Sequence, residues 1–387
     1  MRLSSVAAGA CSLALAAALL AAPAHAGGPH TRGPDVLADG LVGPLSLAVG
    51  KGGSVIVTQS FAGTVTRIDR HGGQTALYQL PDPENGAIAG AATRRGASYH
   101  LELSAGENGP VGQVIRLDRD GERHALGDDL LAYEQENNPD GEQTYGFHGL
   151  DQECAAEVAA FETTVSGPEG PLLLDEYPGI VESNPYQLTV HRGAAYVADA
   201  AANAILRVDL ETGEISTVAV LPGTPITFTE ETKAHFEAVL GGATMPDCVV
   251  GESFTPEPVP TDVEVGEDGR LYVSTLQGLA GEAFPLSTVY RVNPRSGSVK
   301  AVADRGMQGA TGLAIAPDGR ILVAELFGGE VSVVTPGRST ARTLFEVESP
   351  GDVEIDGRTV YATAGVLGEG GAPGDGSVVT YRYRTGR

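Results

Sequence analysis

The stretch PTDVEVGEDGRLYVSTL at 260–276 returns as ATGLAIAPDGRILVAEL at 310–326. Each copy is an apolar run, an Asp-Gly turn and a second apolar run. Asp-Gly supplies the positive φ angles that a two-residue hairpin needs. Looser copies stand at 44–59 (PLSLAVGKGGSVIVTQ), 185–200 (PYQLTVHRGAAYVADA) and 350–364 (PGDVEIDGRTVYATA). A third strand follows each, such as GTVTRID at 63–69 or NAILRVD at 203–209. A sixth copy, NGAIAGAATRRGASYHLELS at 85–104, lacks the Asp-Gly turn but is followed by GQVIRLD at 112–118. The first core residues are Leu47, Ile88, Leu188, Val263, Leu313 and Val353, spaced 41, 100, 75, 50 and 40 residues apart.

A period near 40 is that of a four-stranded propeller blade. Blades pack face to face, so inner strands are buried on both sides and read as unbroken small and β-branched runs. No 3.6-residue period runs through the units. The expected fold is all-β, a six-bladed β-propeller with two short helical insertions capping one face. PDVLADG at 34–40 is expected to pair beside SVVTYRYR at 377–384, completing the sixth blade from both chain ends and removing exposed edges.

The two long gaps hold insertions at about 128–182 and 221–258. The first contains a helix over 150–165, rich in Ala and Glu. The second contains a helix capped by Thr229 and stopped at Gly241. Both join an outer strand to the next inner strand, so both emerge on one face. Cys154 lies in one and Cys248 in the other, and an even pair in an exported chain implies a disulfide.

Export is read from residues 1–26: Arg2, the apolar run LALAAALLAA and the cleavage site AHA form a signal peptide. Residues 27–387 then make one secreted propeller domain. No later run reaches the length of a membrane span. The net charge of −25 argues against nucleic acid or anionic membrane as partner. A monomer that binds a small molecule or an extracellular protein at its capped face is expected.

The repeats resemble NHL-type and gluconolactonase-like propellers. NNPDG at 137–141, SNPYQL at 183–188, PVPTDVEVGEDGRLYVSTLQG at 258–278 and TGLAIAPDGRILVAEL at 311–326 resemble the ScyD/ScyE family of exported bacterial propellers more closely. That resemblance covers almost the whole mature chain and implies a six-bladed fold without an established activity.

The gluconolactonase likeness implies a divalent cation on the channel axis, held near the inner-strand starts, and hard oxygen ligands suit calcium. No cofactor is required by the sequence; one calcium or other divalent ion is the cofactor the likeness allows. The matching column holds Leu45, Tyr186, Thr261, Thr311 and Gly351, with Asn85 as its one ligand-type residue, and so departs from the enzyme pattern. The next column holds Gln187, Asp262 and Asp352, while Asp199 and Glu325 end second strands on the same rim. These residues are candidate axial, metal or binding groups. The competing expectation is that the aspartates hold backbone amides and keep blades in register. In the cap, Asn138, Asp140, Asn184 and Tyr186 are candidate binding residues. G-x-S-x-G, H-E-x-x-H, P-loop and dinucleotide fingerprints are absent from the sequence. A non-catalytic binding or scaffold module is the leading expectation. The alternative is a metal-dependent hydrolase or lyase of the gluconolactonase or streptogramin-lyase sort at the channel mouth.

Overall fold

A computed structural model describes residues 33–106, 109–166, 172–368 and 375–384. The signal-peptide expectation lies outside the described residues. Six four-stranded antiparallel sheets follow one another as blades. Their inner strands are Pro44–Val49, Gly86–Arg94, Pro185–His191, Pro260–Val265, Ala310–Ile315 and Val353–Asp356. Each inner strand packs beside the next, and the first also packs beside the last. In the sixth blade the N-terminal strand Asp35–Val42 pairs with Asp375–Arg382, Asp35 lying opposite Thr380. The ring is therefore closed by hydrogen bonds between the two ends of the chain.

The hairpin chemistry explains the irregular copies. In blades 4 and 5 the turn glycines Gly269 and Gly319 carry φ of 70° and 79°. Blades 2 and 3 use Arg95-Gly96 and Arg192-Gly193 instead, with φ of 53° and 86°, and of 49° and 88°. Arg-Gly thus makes the two-residue turn, at some strain for each arginine. The Asp-Gly turns of blades 4 and 5 are instead three residues long, closed between Gly266 and Arg270 and between Ala316 and Arg320, with only the glycine left-handed. Leu47, Ile88, Leu188, Val263, Leu313 and Val353 are all buried.

Most inner strands share one further device. Register shifts fall between Pro44 and Ser46, Pro185 and Gln187, Pro260 and Asp262, and Ala310 and Gly312. Each bulge leaves one residue unpaired and sets the phase of the residues after it.

Between blades 2 and 3 the chain forms helix α1 (Leu130–Asn137) and helix α2 (Gln152–Val165). Between blades 3 and 4 it forms helix α3 (Glu230–Val239), and helix α4 (Gly278–Ala283) lies within blade 4. Asp151 caps α2 through the amides of Glu153 and Cys154. Thr229 caps α3, and Gly241 follows its end at φ 74°. A seventh sheet joins the two insertions, with Thr144–His148 at its centre paired to Ser253–Thr255. Phe147, Phe228, Phe236 and Phe254 form its apolar core, with ring centroids 4.9 Å apart for Phe147–Phe228 and Phe147–Phe254. Cys154 and Cys248 are disulfide-bonded across it, with Cα atoms 5.8 Å apart. No helix of the described residues is long and apolar enough to cross a membrane.

Candidate ligand site in the axial channel

Gln187, Asp262 and Asp352 are all buried at the starts of inner strands. Asp262 accepts from its own neighbour Val263 at 2.6 Å and from Leu313 of the next blade at 2.6 Å. Asp352 accepts from Val353 at 2.7 Å and from Leu47 of blade 1 at 2.8 Å. Gln187 donates to Asp352 at 2.8 Å and accepts from Ala91 at 2.7 Å and Leu188 at 2.9 Å. Blades 3 and 6 stand opposite in a ring of six, so the Gln187–Asp352 bond crosses the axis. Small residues make room for it. An added Cβ at Gly90, which has φ 59°, would come within 2.7 Å of Leu188 and 3.0 Å of Gln187, and one at Gly312 would strike the Asp352 carboxyl. This layer is a hydrogen-bonded plug. Tyr186 lies against it, and burial together with Asp352 and Asp262 pushes its phenol up.

The plug tests the axial cation. Leu45, Tyr186, Thr261 and Thr311 stand at or beside the bulges, and the aspartate oxygens are already held by amides. These residues do not fit a lactonase-like ion, and no chemistry is derived through one. Asn85 is corrected outright: it is exposed in the loop before its strand and donates to Asp82 at 2.9 Å, while Gly90 holds the axial position. Aligning the irregular copy by its apolar run misses the register shift between Ala89 and Ala92, which displaces the phase.

The remaining expected rim residues are also dispersed. Glu325 accepts from the Gln308 amide at 2.7 Å and from Ser332 within blade 5. Asp199 accepts from Ser183 at 2.6 Å and the amide of Asn184 at 2.7 Å. Neither contacts the plug. Asn138 and Asp140 lie at the end of α1, and the amide of Asn184 is tied to Asp199, so the four cap candidates do not form one site.

Two residues beyond the plug, the alternation of the strand brings a second layer into the channel. A cavity of about 460 Å³ opens there, lined by Glu264 and Glu354 with Thr93, Thr189, Ala48 and Ala92, and at its mouth by Lys51 and Asp356. Its mouth is formed by the inner hairpin turns, so it opens on the face away from the cap. Thr189 reaches Glu264 at 3.5 Å. Burial first, then Glu354 and Asp262, push the Glu264 carboxyl well up; burial, Asp352 and Asp262 do the same to Glu354. The sequence signal for this layer is the shared DVE of 262–264 and 352–354. What the sequence lacks is the bulge phase that separates plug from cavity.

Elsewhere, His148 lies between Glu176 and Thr255, at 2.7 Å from each. This order suits proton transfer to a hydroxyl, but Thr255 is buried in the cap sheet. Among the described residues, Asp118, Glu122 and His124 form an acidic group whose ligand atoms lie within 4.8 Å of one another, on the outer hairpin of blade 2.

The buried acids set a pH dependence. Burial raises Asp262, Glu257, Glu282 and Glu325 each to about 7. A carboxyl whose folded pKa is raised binds its proton more tightly folded than unfolded, so its contribution to stability is lost as pH rises from the unfolded value through the folded one. Asp209, held down to about 2 by Arg207, acts oppositely and loses its contribution in acid. Thermal unfolding should therefore occur at its highest temperature near pH 5 and weaken by pH 8, by on the order of a few kcal/mol. Calorimetry across that range checks the sign; greater stability at pH 8 would overturn it.

No protein-family model and no curated protein matches the chain. Among solved structures it is similar to the PQQ-bound aldose sugar dehydrogenase of Streptomyces coelicolor, at TM-score 0.51 and 14% identity over 90% of this chain and 96% of that one. A Thermus thermophilus protein described as a putative glucose dehydrogenase aligns at TM-score 0.51 and 16% identity, over 90% and 98%. Virginiamycin B lyase of Staphylococcus aureus, in an inactive form with quinupristin, aligns at TM-score 0.47 and 15% identity, over 90% and 97%. At such identities the likeness establishes the propeller fold alone.

Proposed function

We propose that this chain is an exported, non-catalytic binding propeller of the ScyD/ScyE type, a single domain after its signal peptide, and that its axial cavity takes up a compact amine. The carrying observation is the pair Glu264 and Glu354 on the cavity wall. Both carboxyls are pushed up by burial and by neighbouring acids, and no basic side chain among the described residues bonds either. An ammonium group entering the cavity would relieve that repulsion and supply charged donors to carboxyls that otherwise meet Thr189 and the backbone amides of Val265 and Ile355. The alternative, a metal-dependent hydrolase or lyase at the plug, requires ligands from aspartates already bonded to amides.

Titration calorimetry with ethanolamine and putrescine at pH 7 is the test. Binding should release protons, seen as heat that depends on the buffer, because the ammonium favours the ionised carboxyls. Glu264→Gln and Glu354→Gln should each weaken it about tenfold or more. Absence of binding to either amine by folded protein would sink the reading.

A further inference from the structure

A second cluster of acids lies outside the channel, where the end of α1 meets blade 3. Glu134, on α1, has no solvent exposure, and among the described residues neither of its carboxylate oxygens has a protein partner. Four residues on, Asn138 closes the helix in the left-handed region at φ 38°. Burial, then Asp199 and Asp140, push the Glu134 carboxyl up, which places it in their neighbourhood. The Asn138 side-chain amide donates to the Gly179 carbonyl at 3.1 Å, which fixes its orientation and leaves Oδ1 unpartnered. Asp140 is also buried. Its Oδ2 accepts from Tyr145 at 3.1 Å and Asn203 at 2.9 Å, and its Oδ1 has no partner. Gly179 lets the backbone close over Asp140, since a Cβ there would strike its carboxyl.

Four buried acceptor oxygens from three residues within seven positions thus lack protein donors among the described residues. Buried acceptors are ordinarily satisfied. Protonating one carboxyl would supply one donor and leave the others bare. A hard cation satisfies them together, because such ions take carboxylate and amide oxygens in flexible arrangements. Asp199 has both oxygens bonded to Ser183 and nearby amides, so it adds negative charge without being a ligand. We infer that Glu134, Asn138 and Asp140 form a calcium-class cation site that ties the end of α1 to the loop after it, whose Asp140 is in turn bonded to Asn203 of blade 3. This site is independent of the amine reading of the channel.

The test uses the full mature chain, stripped with EGTA and titrated with Ca²⁺, with terbium as a second probe. Terbium emission excited through tyrosine reports the site, since Tyr145 adjoins Asp140 and the chain contains no Trp. One ion should bind and raise the unfolding temperature. Glu134→Gln and Asp140→Asn should each abolish the shift and the emission. Asn138→Gly, which tolerates the left-handed backbone, should weaken binding by about tenfold while remaining folded. The double variant Glu264→Gln/Glu354→Gln, and Glu122→Gln in the surface group, should keep the full calcium response. No calcium-dependent shift in folded wild-type protein overturns the inference. So does a response that keeps wild-type affinity in Asn138→Gly or persists in Asp140→Asn, or one lost only in the channel or surface variants.

Discussion

Replacing both Cys154 and Cys248 by Ser should lower stability by about 3–5 kcal/mol in the chain-entropy account. The bond joins residues 94 apart in sequence, and all of blade 3 lies between them. Reduction therefore releases a large loop in the unfolded chain. Locally, Cys154 sits in the first turn of α2 and Cys248 in a short 3₁₀ turn at Asp247–Val249. Each anchor is small. Helix α2 is held by Val158 and Phe161, and the turn by Val249, all in the phenylalanine cluster of the cap. The double variant should lose the cap before the blades. Denaturant unfolding followed by far-ultraviolet dichroism should shift to lower midpoint, and limited proteolysis should cut near 150–165 first. Adding reductant to the wild type should reproduce both effects. A loss below about 1 kcal/mol, with the cap still protected, would show that the phenylalanine cluster holds the insertions unaided.

How much is legible in the sequence follows from which physical signals are local. Hairpin turns are local, so Asp268-Gly269 and Asp318-Gly319 announce two blades and, by repetition, their relatives. Ring closure is legible because a closed propeller leaves no edge, and the segment at 34–40 supplies the strand that the sixth blade otherwise lacks. The disulfide is legible from an even count, two cysteines lying beyond the expected leader. The bulges are not. A one-residue shift in strand register leaves composition unchanged but exchanges the faces of every later side chain. Asp262 and Asp352 do hold backbone amides across blades, one of the two readings the sequence offers, while without the bulge phase their alternative as axial ligands stays open and Glu264 and Glu354, two positions on, stand out only as context. Glu134 is invisible for another reason. A glutamate on a short helix ordinarily faces water, and only the tertiary packing of α1 between blades 2 and 3 buries it. The NNPDG motif beside it draws notice for its turn, while the unpartnered oxygens belong to the fold.

Asp352→Ala should be among the most damaging single substitutions in the chain. The carboxyl accepts three hydrogen bonds, from the amides of Leu47 and Val353 and from the side chain of Gln187. Alanine leaves all three donors buried, at about 1–3 kcal/mol each, so a loss of about 3–5 kcal/mol is expected after partial relaxation. Asp262→Ala strands only the amides of Val263 and Leu313 and should cost less. The position magnifies the difference. Blade 6 is assembled from both chain ends, and Asp352 ties it to blade 1 next door and blade 3 across the axis. The effect should also depend on pH in a defined direction. Burial, then Asp262, hold the Asp352 carboxyl well above the usual carboxylate range, so in the wild type its contribution falls as pH rises. Alanine has no proton to lose. The gap between wild type and Asp352→Ala should thus be widest near pH 5 and narrow toward pH 8. Guanidinium unfolding at the two pH values separates this from a role in holding a metal, since a carboxylate ligand would make the gap grow as the acid ionises.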